Sequence, residues 1–139
     1  MAMVMADSGG RSLSAVSCAS QSPEAERKSM TEKAKVLIVL TTCPSKEVGV
    51  QISEALVREH LAACVNRVPA VSSTYIWKGA VQTDEEVMLV IKTTEARFEA
   101  VKSRLTDLHP YELPELIAIP VCAGAENYLE WVRDNVKSS

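Results

Sequence analysis

Val36-Leu37-Ile38-Val39-Leu40 is an unbroken apolar run that closes on Thr41-Thr42-Cys43-Pro44. Such a run predicts a strand buried on both faces. Ser45 offers a helix N-cap. Behind it Val48, Ile52, Ala55, Leu56 and Leu61 recur at helical spacing, with Glu47, Glu54, Arg58 and Glu59 largely elsewhere. This predicts a helix over 46–62. An extended stretch over 64–78 comes next, and Pro69 marks an edge or a bulge in it. Tyr75 and Trp77 fall on one face of that stretch, Thr74 and Ile76 on the other. Lys78-Gly79 reads as a turn, after which the chain returns over 81–92 through the buried run Val87-Met88-Leu89-Val90-Ile91.

Both hairpin arms exceed ten residues, whereas strands typically have about five or six. One domain cannot cover arms of that length, so their tips are expected to pair with another subunit and remove exposed edges. Thr94 is placed to cap a second helix, whose Phe98, Val101, Leu105 and Leu108 form a core stripe. That helix should stop before His109-Pro110, because a residue preceding proline disfavours helical geometry. A fourth strand is predicted over 116–121, with Pro120 putting its end at an edge. Gly124 breaks the chain. A last helix from Glu126 turns Leu129, Val132 and Val136 inward and leaves Tyr128 and Trp131 on its flank.

The order β-α-β-β-α-β with a terminal helix is that of an α+β, ferredoxin-like plait. Two helices cover one sheet face. The other face is also apolar, and subunits meeting through it would cover it. The first thirty-odd residues read differently: they are serine-rich, lack aromatics and carry Gly9-Gly10. Residues 1–33 are expected to be a disordered extension and 34–137 the folded domain. Asp7 and the serines break any apolar core of a secretory signal, and Asp7, Glu24 and Glu26 fit an organelle transit peptide poorly.

The formal net charge of -3 disfavours a nucleic-acid partner. No apolar run is long enough to span a membrane. Cys18, Cys43, Cys64 and Cys122 form no CxxC pair and are too sparse for a disulfide scaffold, so free thiols and a cytoplasmic setting are expected. Cys64 and Cys122 sit in apolar contexts and read as core, while Cys43 stands where a strand opens onto a loop.

The segment richest in chemistry is His109-Pro110-Tyr111-Glu112-Leu113-Pro114-Glu115. Two prolines stiffen it, so its side chains are oriented at low entropic cost. It reads either as a metal or small-ligand site, or as a rigid connection whose histidine closes a helix C-terminus. Asp84-Glu85-Glu86 reads as a solvated hairpin face. No phosphate loop, catalytic triad or zinc-hydrolase motif is present. Glu112 and Glu115, three apart on an extended segment, would face opposite sides and make no catalytic pair. No catalysis is expected.

The stretches Leu61-Ala62-Ala63-Cys64-Val65-Asn66, Tyr75-Ile76-Trp77-Lys78-Gly79, Ile91-Lys92-Thr93-Thr94, His109 to Glu115 and Tyr128-Leu129-Glu130-Trp131 occur in this order. In them the chain closely resembles the CutA family of divalent-cation tolerance proteins, over about 36–136. The resemblance implies a tight homotrimer of ferredoxin-like subunits with hairpins laced between them, and a link to copper and other divalent cations. Enterobacterial members place a cysteine where this chain has Thr41, and two histidines where it has Leu108-His109. Of these ligand positions only His109 matches. Cys43, two residues beyond Thr41, would project to the same side, so a Cys43–His109 pair is the candidate metal site. The family pattern also sets Tyr75, Trp77, Lys92, Tyr111, Glu112, Glu115 and Trp131 along or beside a cleft between subunits. The trimer resembles that of the PII signalling proteins, which implies an alternative: a sensor of a small anionic ligand, with Lys92 as its cation. A third reading makes these residues purely an assembly interface.

Overall fold

The computed structural model describes residues 33–137. The extension expected over 1–33 lies, apart from Lys33, outside the described residues, as does Cys18. Strand β1 (Val36–Cys43) leads through Ser45 into helix α1 (Lys46–Arg58). The Ser45 hydroxyl accepts the Val48 N–H at 3.2 Å, the cap its position predicts. Helix α1 stops four residues short of the expected end. His60 adopts φ 58°, its N–H bonds the Val57 carbonyl, and the Leu61 N–H returns to the Leu56 carbonyl at 2.9 Å. This is a Schellman closure with histidine in the left-handed position usually given to glycine. The apolar spacing ran on past it because Leu61 is buried from the turn itself.

Strands β2 (Cys64–Trp77) and β3 (Ala80–Thr94) form the long hairpin. Lys78 and Gly79, with φ 52° and 82°, make the tight two-residue turn whose twist matches the strands. The register breaks between Val68 and Val71, at Pro69, and Ala70 takes φ 59°. A short 3-10 turn (Glu95–Arg97) precedes helix α2 (Phe98–Leu108), so that helix begins later than Thr94 suggested, and the Thr94 side chain makes no cap bond. Strand β4 (Ile117–Pro120) and helix α3 (Glu126–Asn135) complete the chain.

The four strands form one antiparallel sheet in the order β2-β3-β1-β4. Strand alternation sends Val39 and Cys43 of β1, with Leu89 and Ile91 of β3, onto the face that α1 and α2 cover. Ile52, Leu56, Val101 and Leu105 meet them there, all fully buried. Each such side chain contributes about 1.5–3 kcal/mol by leaving water. On the other face, α3 covers one end through Val132 and Val136 against Val36 and Ala63. The remainder of that face carries Ile38, Leu40, Met88, Val90, Val68, Ile117 and Ile119, and the last two are 52% and 46% exposed. Among the described residues, no helix is long and apolar enough to cross a membrane.

Candidate functional site

Helix α2 ends at His109, and the two prolines after it hold 110–116 off the sheet until β4 begins. The loop bends back over the open sheet face instead of running extended. It meets the far part of the hairpin, and between them lies a cleft of about 910 Å³. Ser73, Tyr75 and Trp77 of β2, Glu86 of β3, Thr42 at the end of β1, and Tyr111, Glu112 and Glu115 of the loop line it. Glu112 and Glu115 therefore share one cavity, contrary to the expectation from an extended segment. Bends at 111–113 remove the strict alternation on which that expectation rested.

Two phenols bridge this cleft to the acidic stretch of β3. The Tyr111 hydroxyl donates to Glu86 Oε2 at 2.7 Å, and the Tyr75 hydroxyl donates to the Asp84 carboxylate. Burial, and then the Glu86 carboxylate, push the Tyr111 phenol far above its ordinary range. The bond to Asp84 pushes Tyr75 up in the same direction, with a smaller contribution from burial. Both phenols are thus donors at neutral pH. Glu86 is only 7% exposed, and its Oε1 accepts no hydrogen bond from a described residue. The reading of 84–86 as a solvated face holds for Asp84 and Glu85, both exposed, and fails for Glu86. The signal was available: a two-residue turn at Lys78-Gly79 fixes the register, and that register puts Asp84 and Glu86 on the Tyr75 face. Among the described residues, no lysine, arginine or histidine lines the cleft.

The other expected cleft residues lie elsewhere. Lys92 projects from the open sheet face near α3, where its ammonium donates to Asn66 Oδ1 and approaches the Cys64 thiol at 3.8 Å. Trp131 stacks on Tyr128 along α3, ring centroids 5.6 Å apart. Through Cys64 and Tyr128, Lys92 and Trp131 form a second locality within the chain, apart from the cleft beneath the loop.

The candidate metal pair has a different role in this structure. His109 is buried, and its Nε2 lies 2.8 Å from the Thr42 carbonyl. Its Nδ1 accepts the Tyr111 N–H at 3.2 Å, which assigns the proton to Nε2. Both ring nitrogens are therefore engaged with the backbone. Cys43 is the last residue of β1, as expected, but it is fully buried, and its thiol is directed at the Ser45 and Val87 carbonyls, each at 3.6 Å. Burial pushes this thiol up and keeps it protonated. Thr41 is fully buried, and its hydroxyl has no hydrogen-bond partner among the described residues. A protonated thiol, an imidazole without a free nitrogen and an alcohol do not fit a copper or zinc centre. Among the described residues no three histidine, cysteine or acidic side chains cluster closely enough to hold a metal ion. The expected burial of the other cysteines is also corrected. Cys64 is half-buried and Cys122 exposed, because Cys122 lies just beyond the end of β4.

The family model described as CutA1 divalent ion tolerance protein matches residues 37–135. The chain is 49% identical over 98 residues to "Divalent-cation tolerance protein CutA" of Thermus thermophilus, covering 70% of this chain and 95% of that protein. It is 39% identical over 120 residues to "Protein CutA 1, chloroplastic" of Oryza sativa, covering 86% and 68%. The crystal structure of CutA1 from Oryza sativa superposes with TM-score 0.74 at 40% identity, over 76% of this chain and 97% of that one. A structure described as the periplasmic divalent cation tolerance protein CutA from Archaeoglobus fulgidus superposes with TM-score 0.71 at 30% identity, over 73% and 99%. Chloroplastic and periplasmic relatives overturn the expectation of a cytoplasmic protein. Sparse, unpaired thiols do not identify a compartment, and the domain itself serves in several.

Proposed function

Because the chain belongs to the CutA1 divalent ion tolerance family, we propose that it serves divalent-cation tolerance as a homotrimer of ferredoxin-like subunits, without catalysis. Its cation-facing surface is the acidic cleft beneath the 110–116 loop, and contact there is labile. The observation that carries this is the lining: Glu86, Glu112 and Glu115 with Asp84 behind Tyr75, and no basic side chain among the described residues. Carboxylates spread over a wide cleft attract a divalent ion and release it readily, as oxygen donors do without a closed coordination shell. His109 and Cys43 shape the loop and the strand end that bound the cleft. The trimer is supported by the uncovered apolar sheet face and by hairpin arms of 14 and 15 residues, whose tips expose Ile76 and Val81.

Light scattering and calorimetric titration of Cu(II) and Zn(II) into the purified full chain test this reading. A mass of three chains is expected, with weak saturable metal binding that falls in Glu112→Gln and Glu115→Gln and survives in Cys43→Ser. Tight binding abolished by Cys43→Ser would overturn the labile-cleft reading, and a monomer mass would overturn the trimer.

A further inference from the structure

Away from the cleft, the sheet brings a thiol and an amine into contact. Cys64 and Lys92 are partners across β2 and β3, and the Lys92 nitrogen lies 3.8 Å from the Cys64 sulfur. We propose that Cys64 and Lys92 form a reversible covalent sulfur–nitrogen link when the chain meets hydrogen peroxide. The inference goes beyond the proposed function and does not rest on the acidic cleft.

The strand register places the pair. Directly opposed residues on adjacent strands hold their Cβ atoms about 4.5–5.5 Å apart and send both side chains to one face. Asn66, two residues along β2 on that same face, accepts a hydrogen bond from the Lys92 ammonium and turns it back toward the β2 side. From α3 the Tyr128 hydroxyl bonds the Cys64 sulfur. The pair therefore sits at the end of the face that α3 flanks through Val132 and Val136, apart from the apolar remainder that assembly would cover. Cys64 is half-buried, while Asn66 and Tyr128 beside it are exposed. An oxidant little larger than water can reach that sulfur.

The chemistry runs in two steps. The Cys64 sulfur attacks one peroxide oxygen, so an S–O bond forms, the O–O bond breaks, and the departing oxygen leaves as water with the thiol proton. Sulfur is oxidised by two electrons and the peroxide is reduced by two. A sulfenic acid condenses with a nearby nitrogen. Lys92, having released its ammonium proton to solvent, attacks the sulfur. An N–S bond forms, the S–O bond breaks, and the oxygen leaves as water with one amine proton. The thiol and the amine have each lost one hydrogen, and the Lys92 charge is gone. An added thiol reverses the link: it bonds to the Cys64 sulfur, the Lys92 nitrogen leaves and is reprotonated, and a second thiol frees Cys64 as an external disulfide forms. The link closes the root of the long hairpin and spares Cys64 from irreversible oxidation to the sulfinic acid.

Hydrogen peroxide treatment of the reduced full chain, then tryptic digestion without reductant and mass spectrometry, tests the proposal. The expected product joins peptide 59–67 to peptide 79–97, with cleavage after Lys92 lost and the mass lower by two hydrogens. Dithiothreitol should restore the separate peptides. In Lys92→Arg, which keeps the charge, the joined product should vanish and Cys64 should be trapped by dimedone as its sulfenic acid. The unsubstituted chain decides the matter alone, whatever the variant's folding. Cys64 recovered there as sulfinic acid or as a disulfide with no joined peptide, or as unreacted thiol while Cys122 is oxidised, would overturn the proposal. Persistence of the joined product in Lys92→Arg would overturn it as well.

Discussion

His109 is the residue on which a metal-centre reading and the present structure differ most, so its replacement is the sharpest probe of the site. In His109→Ala the Thr42 carbonyl loses its buried donor, at a cost of about 1–3 kcal/mol for an unsatisfied buried acceptor. The Tyr111 N–H loses its acceptor in a half-buried setting, adding about 0.5–1 kcal/mol. Loss of ring packing in a position only 8% exposed adds about 1 kcal/mol more. Together these come to about 2.5–5 kcal/mol, a large part of a small domain's stability. His109→Gln restores an N–H donor of similar reach and should recover part of the Thr42 component. The assay is equilibrium denaturation in guanidinium at a fixed chain concentration, because assembly makes apparent stability concentration-dependent. The midpoint should fall in the order wild type, Gln, Ala. Equal midpoints in all three, or loss of tight copper binding with stability untouched, would refute the assignment of both ring nitrogens to the backbone.

Two further outcomes follow from the titrating groups. Tyr111 ionises far above its ordinary value of 10.0 in the folded chain, first through burial and then through Glu86. Above about pH 10 the unfolded chain releases this proton while the folded chain keeps it, so stability falls as pH rises. The fall is shallow, since Tyr111 is 37% exposed, and Tyr111→Phe should flatten the denaturation midpoint between pH 9 and 11 relative to the parent. Cys43 is buried and its thiol pushed up, whereas Cys122 is exposed. Iodoacetamide under native conditions, read by mass spectrometry, should label Cys122 long before Cys43, and equal rates would contradict the burial.

Much of the fold was legible because its elements are announced locally. The β1 run, the Ser45 cap, the Pro69 break, the Lys78-Gly79 turn and the His109-Pro110 stop each act within a few residues, and all fall where expected. The end of α1 was misread because a left-handed His60 carries no sequence mark of the kind glycine provides. The site was legible as a list and illegible as a place. Within one chain Tyr75, Trp77, Tyr111, Glu112 and Glu115 line one cleft and Lys92 and Trp131 a separate locality, because proximity across a curved sheet depends on how the 110–116 loop folds over it. Glu86 escaped notice for a related reason. A charge flanked by charges reads as solvent-facing until the 110–116 loop folds over it and brings the Tyr111 hydroxyl to its carboxylate.

The strand order has a consequence for how the chain comes to be folded. Among the described strands β1 is the first synthesised, yet it sits between β3 and β4, with Leu37 opposite Thr93 on one side and Pro120 on the other. At about 5–20 residues per second, a ribosome needs several seconds to deliver both partners. Through that interval the most apolar segment of the domain has neither neighbour, and contacts of such long range are slow to form even once available. The nascent chain therefore carries a sticky strand at its leading end until almost the last of the domain emerges. Its safe passage depends on α1, the next element made, whose Ile52 and Leu56 lie against Val39 in the finished core and can shelter the strand locally while the sheet is still incomplete.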